Sequence, residues 1–174
     1  MITHRHNLPK LLKDLNLPMT GAEIGVAEGY FANDLLTGGV TKLYMVDAWR
    51  TLDTTGDGAS PQSWHDKNYS DALARVAVHG DKSVILRGIT WEMAYQVENN
   101  SLGFVYLDAG HSYECVMADL KAWVPKVVKG GIVAGHDFLN RSYGVERAVR
   151  EFAKTEIYTI NENKTEDAGF LFIC

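Results

Sequence analysis

Asp108 and His111 stand close together in Leu107-Asp-Ala-Gly-His-Ser-Tyr-Glu114, directly after the apolar run Phe104-Val-Tyr-Leu107. Such a run reads as a buried strand, so the acid and the imidazole project from its carboxyl end, the edge at which open α/β sheets bind ligands. Gly131-Ile-Val-Ala-Gly135 runs in the same way into His136-Asp137. Two strand ends thus each offer a carboxylate beside a histidine, groups that hold ligands and, near neutral pH, move protons. Taken as an isolated pair, Asp108 is equally suited to cap a helix starting at Ser112, and His111 to a structural role.

A third edge lies earlier in the chain. Glu23-Ile-Gly25-Val-Ala-Glu-Gly29 follows a short apolar strand and opens a helix. It lacks the paired glycines of a dinucleotide loop, and Glu23 and Glu28 repel phosphate, so a pyrophosphate is a poor ligand here. Asp47 ends the next strand, the place from which a carboxylate accepts hydrogen bonds from ribose hydroxyls. A nucleoside without phosphates fits both observations, and acids at consecutive strand ends favour ligand contact over simple loop bonding.

These edges need a sheet built by crossovers. Leu8, Leu11, Leu12 and Leu15 recur at helical spacing behind Asn7, marking an N-terminal helix within residues 1–19. Strands are expected through Glu23–Val26, Lys42–Asp47, Ser83–Leu86, residues 103–108 and Ile132–Ala134, with helices between them. Ala32, Leu35 and Leu36 line the first of these helices; Tyr69, Leu73 and Val76 line the second. The helix of Met93, Ala94 and Val97 has Thr90 as its expected cap. Another runs from Tyr113 through Trp123 to Val127 and stops at Gly130-Gly131; Val145, Ala148, Val149 and Phe152 make the last. Ile157–Ile160 and Gly169–Ile173 then read as an antiparallel hairpin. Residues 50–65, dominated by turn formers as far as residue 63, are too polar for core and too long for a plain connection, and read as a lid. The fold class is α/β: a doubly wound, mostly parallel seven-stranded Rossmann-like sheet closed by a hairpin.

At 174 residues the chain suits a single domain spanning 1–174. Its 46% apolar and 22% charged residues are those of an ordinary globular protein, and a net charge of −5 with scattered basic residues argues against a nucleic-acid partner. No apolar stretch approaches the ~18 residues that span a bilayer, and no signal peptide is visible, so a soluble cytoplasmic protein is expected. Cys115 and Cys174, in no metal or redox spacing, agree with a reducing compartment. Trp123 and Phe152 are expected in the core. Trp49, Trp64 and Tyr69 flank the lid and suit either plain packing or contact with a ligand. His4, His6, His65 and His79 stand in polar surroundings and are expected at the solvated surface. An oligomer is left open.

Residues 23–29, Asp47 and the closing hairpin resemble the class I S-adenosylmethionine-dependent methyltransferases over nearly the whole chain. The resemblance implies that Glu23, Gly25, Val26, Ala27 and Gly29 cradle the methionine part, that Asp47 and Ala48 meet the ribose, and that Gly88 and Thr90 lie near adenine. More narrowly, Asp108-Ala-Gly-His-Ser-Tyr-Glu114, Pro125-Lys-Val-Val-Lys-Gly-Gly131 and Gly135-His-Asp-Phe138 look like the macrocin-type sugar O-methyltransferases. That likeness implies a small hydroxylated acceptor such as a sugar, His111 as general base, Asp108 serving both cofactor and catalysis, and a divalent metal, Mg or Mn, on Asp108 and Asp137. His136 stands where those enzymes carry a carboxylate and would be the third ligand; imidazole suits Mn, Fe or Zn better than Mg. Two other readings fit parts of the pattern: a nucleotide-dependent oxidoreductase, disfavoured by the missing phosphate loop, and a methyltransferase-like domain that is non-catalytic or acts on nitrogen.

Overall fold

The computed structural model describes residues 4–52, 56–161 and 168–174. The chain opens with a helical turn at Arg5–Asn7 and a helix α1 (Leu8–Asp14), then alternates strands and helices: β1 (Thr20–Ile24), α2 (Tyr30–Thr37), β2 (Lys42–Asp47), α3 (Gln62–Val76), β3 (Ser83–Arg87), α4 (Thr90–Met93), β4 (Leu102–Leu107), α5 (Tyr113–Trp123), β5 (Val127–Gly135), α6 (Val145–Phe152), β6 (Tyr158–Asn161) and β7 (Ala168–Ile173). The seven strands form one sheet in the order β3-β2-β1-β4-β5-β7-β6. The four pairings from β3 to β5 are parallel and the two involving β7 are antiparallel, as the alternating pattern and the hairpin required. Strand order reverses between β1 and β4, so the ligand crevice of such a sheet falls above β1, β2 and β4.

Both faces are covered. Val105 and Leu107 of β4 pack with Ile24, Trp123, Val133 and Phe170 on one side, while Phe104 and Tyr106 pack with Leu8, Leu35, Met45 and Leu171 on the other. This is the two-residue alternation of a strand sandwiched between helix layers.

Four local expectations are corrected. The fifth strand starts at Val127, not at Ile132, because Pro125 lacks the N–H to continue α5 and Val127 is buried in the sheet. Gly130-Gly131 therefore lies inside a strand, where Gly130, at φ +80°, sits in a bulge opposite Leu102–Phe104. The third helical segment is one turn of α-helix continued as 3-10 at Ala94–Gln96, and Thr90 is its first residue and not its cap. Leu15 is 45% exposed because α1 ends before it, and Leu73 is exposed because the inward stripe of α3 is His65, Asn68, Ala72 and Val76. The expected lid is shortened: α3 begins at Gln62, Gly56–Ala59 form a 3-10 turn, and residues 53–55 lie outside the described residues. Thr51 is held at the base of this stretch by the Gln62 side chain and the Ser60 carbonyl. No helix among the described residues is long and apolar enough to cross a membrane.

Candidate active site

Gly25 brings two strand ends into backbone contact. Its φ is +91°, and a Cβ added there would stand 2.1 Å from the carbonyl oxygen of Asp108. The approach is locked by Gly25 N–H donating to Val46 O (2.8 Å) and Asp108 N–H donating to Ile24 O (2.7 Å). Gly29 caps α2 in the left-handed region, φ +77°, against Ala72 of α3.

Asp47 organises the turn between them. One carboxylate oxygen accepts from the amides of Val26 (2.9 Å) and Ala27 (3.0 Å), the other from that of Trp49 (2.8 Å). The acid expected to meet ribose thus first holds the loop, and only the oxygen facing Trp49 keeps lone-pair capacity for one further donor. Ala27 (φ +47°) and Trp49 (φ +41°) are both in the left-handed region, a strain of about 1–3 kcal/mol each that concentrates at ligand-binding turns. Trp49 is buried with its indole N–H on Ala27 O (2.9 Å), so its role is to brace this turn. Ala48 is half-buried beside it. Gly88 N–H donates to Asp47 O (2.9 Å), placing the end of β3 on the same edge. Thr90 is committed elsewhere: its buried hydroxyl donates to Asp119 at 2.6 Å.

One acid at this edge is far from ordinary. Glu23 is buried, with one carboxylate oxygen that has no hydrogen-bond partner. Burial, then the neighbouring Asp108 charge, push its pKa well up, and the Arg5 guanidinium opposes them.

At the ends of β4 and β5, Asp108, His111 and Asp137 each present one ligand atom within 4.8 Å of the others. His111 Nε2 is 3.0 Å from Asp137 Oδ2 and 3.8 Å from Asp108 Oδ1, yet this shielded nitrogen makes no aligned hydrogen bond. Burial lowers the imidazole pKa, but the two flanking carboxylates more than offset it and raise it to about 9. Burial likewise pushes Asp137 up, while His111 and His136 hold it well below the usual carboxylate range. Two carboxylates and an imidazole nitrogen facing them fit a divalent cation of the Mn, Fe or Zn kind. His136 lies outside this group of three: the chain turns at Asp137, φ +55°, and the His136 Nδ1 rests 3.0 Å from Asp137 Oδ2, bracing that carboxylate.

Three residues of this region carried no signal in the sequence reading. Tyr143 stacks on His111, ring centroids 4.5 Å apart at 14°, with Gly144 N–H donating to His111 O (2.8 Å). Arg5, from the N-terminal turn, places Nη1 3.9 Å from Asp108 Oδ2. Asp119, buried on α5 and lining the same small cavity as His111, has its pKa raised by burial to about 7, against the hydrogen bond from Thr90. Its inward position follows from spacing, since Val116, Asp119 and Trp123 fall on one helical stripe. Of the other histidines only His65 departs from its expected surface position, being buried on α3; His6 is exposed and pairs with Asp34 at 3.1 Å, and His79 contacts Asn33 at 3.0 Å.

The family profile described as a methyltransferase domain matches residues 22–138, from within β1 through the Asp137 corner. The chain belongs to the methyltransferase-domain family. Its sheet is that of a class I methyltransferase, and the solved structures agree. The O-methyltransferase NovP superposes with a TM-score of 0.71 at 17% identity, covering 97% of this chain and 76% of that one. An O-methyltransferase from Bacillus cereus in complex with SAH gives 0.69 at 14% identity, over 97% and 79%. CalS11, a TDP-rhamnose 3'-O-methyltransferase of calicheamicin biosynthesis, gives 0.63 at 22%, over 96% and 80%. At these identities the likeness speaks for the fold. Among curated sequences, the protein y4gI of Sinorhizobium fredii, itself uncharacterized, is 26% identical over 104 residues; the match spans 60% of this methyltransferase domain and 11% of that relative's length.

Proposed function

We propose that this methyltransferase domain moves a methyl group from S-adenosylmethionine to an oxygen of a small hydroxylated acceptor such as a sugar, with divalent-metal assistance. The observation that carries the reading is the grouping of Asp108, His111 and Asp137 within 4.8 Å, packed directly against the Gly25 turn. Bound S-adenosylmethionine would supply the methyl on a sulfonium, and a divalent cation would lower the pKa of the acceptor hydroxyl. Asp108 and Asp137 would hold the cation through their carboxylates. His111 would take the hydroxyl proton on Nε2, the nitrogen facing both acids. Tyr143 and the Gly144 backbone keep that ring in place, and His136 steadies Asp137. The Gly25–Gly29 turn, shaped by Asp47, would receive the cofactor, and α1, the Gly56–Ala59 turn or a second copy would wall the acceptor. A cytoplasmic setting fits the free thiols.

The three-atom grouping also favours a second reading, in which His111 is itself a metal ligand. A neutral imidazole has one lone pair, so Nε2 cannot coordinate and accept a proton at once. Manganese titration by calorimetry separates the two. As base, His111→Ala leaves the Mn²⁺ affinity within a few-fold of wild type; as ligand, it removes about 10- to 100-fold, the cost typical of disturbing a metal's supporting shell or more. If His111 is the ligand, Mn²⁺ must displace the proton that it holds below about pH 9, so binding tightens from pH 7 to pH 9 and releases protons. Affinity flat across that window, with no proton release, would contradict His111 as a ligand.

A further inference from the structure

The amino-acid end of S-adenosylmethionine carries an ammonium and a carboxylate beside the sulfonium. The edge that would receive it is acidic: Asp47 ends β2, Asp108 follows β4, and Glu28 follows Gly25. Such a wall suits the two cationic groups and repels the carboxylate. Arg5 brings the opposite charge to the same place.

Its position is built into the fold. Leu8, Pro9 and Leu12 bury α1 against the sheet, and His6 contacts Asp34 of α2, so the turn at Arg5–Asn7 is held at both ends. The Arg5 side chain, only 21% exposed, lies 4.8 Å over the ring of Phe31, donates to the Tyr106 hydroxyl at 3.4 Å and stands 3.9 Å from Asp108 Oδ2. Asp108 is the residue whose backbone abuts Gly25. Phe31 belongs to the first turn of α2, whose free N–H groups also favour an anion. A guanidinium is a planar fork of five donors, able to hold Asp108 and a ligand carboxylate together.

We propose that Arg5 binds the α-carboxylate of the cofactor's methionine end and so makes the site selective for the intact amino acid; the assignment rests on the S-adenosylmethionine reading above. It reaches the crevice from the N-terminal turn, outside the segment matched by the family profile.

Calorimetry with S-adenosylhomocysteine and its decarboxylated analogue, S-adenosyl-3-thiopropylamine, tests this on wild type, Arg5→Met and Arg5→Lys. Wild type is expected to prefer S-adenosylhomocysteine by roughly 10- to 100-fold, the scale of one charge-assisted hydrogen-bonded pair. Arg5→Met is expected to lose most of that preference while binding the decarboxylated analogue nearly as wild type does, and Arg5→Lys to retain part of it. Equal weakening of both ligands in Arg5→Met would show a merely structural role and overturn the assignment, as would a wild type that does not discriminate. A wild type that binds neither ligand would overturn the cofactor reading itself and the assignment with it.

Discussion

Replacing His111 with alanine is expected to lower kcat by about 10²- to 10⁴-fold, the usual contribution of a positioned general base. The KM for S-adenosylmethionine should stay within a few-fold of wild type, because the contacts of His111 are with Asp137, Asp108 and Tyr143 and not with the Gly25 turn. Stability should change little at pH 9 and above. At lower pH the wild type gains from the ion pair. A histidine whose folded pKa is raised from 6.5 to about 9 contributes stability that is complete below pH 6.5 and disappears as pH climbs through 9. Steady-state kinetics with urea unfolding at pH 6 and pH 9 would check both parts. A variant with undiminished kcat would remove His111 from the chemistry.

The second large effect is expected at Gly25. Alanine there meets two obstacles: φ +91°, which L side chains rarely adopt, and a Cβ 2.1 Å from the Asp108 carbonyl oxygen, which is backbone and cannot swing away. Left-handed strain costs about 1–3 kcal/mol and overpacking about 1–3 kcal/mol more, a large share of the ~5–15 kcal/mol that typically holds a domain together. Gly130→Ala is the matched control: φ is +80° but nothing lies within 4 Å, so only the first cost applies. Gly25→Ala is therefore expected to lose about 1–3 kcal/mol more than Gly130→Ala in urea unfolding, and to lose S-adenosylhomocysteine binding, because separating β1 from β4 parts the two sides of the crevice. Equal costs at the two positions would mean that the contact with Asp108 is not what Gly25 serves.

The sheet was legible because its strands are apolar runs closed by acids or glycines, with periodic helices between, and these features are local. Asp108, His111 and Asp137 were legible for the same reason, each standing just past such a run. What the sequence hid depended on distance and rotation. Arg5 precedes Asp108 by most of the chain, and only the packing of α1 brings it to the crevice. Tyr143 sits in a polar connection whose course is set by the turn at Asp137 and by Gly144, where a Cβ would overlap the Tyr113 backbone at 2.2 Å. Asp119 carries no local signal because it is a charged residue on an otherwise apolar stripe, where the Thr90 hydroxyl pairs with its carboxyl inside the fold. Asp47 was rightly placed at the edge, but three backbone amides turned out to be its first partners. The same logic displaced His136, whose ring supports Asp137 and stands apart from the group of Asp108, His111 and Asp137.

The most direct measurement is transfer of a labelled methyl group from S-adenosylmethionine to a panel of sugars, nucleotide-linked sugars and phenols, run with Mn²⁺ or Mg²⁺ and again with chelator. The predicted result is a labelled methyl ether on a hydroxylated acceptor, formed with metal and suppressed by chelator. Label on nitrogen, or ether formation indifferent to chelator, would contradict the chemistry assigned to Asp108, His111 and Asp137.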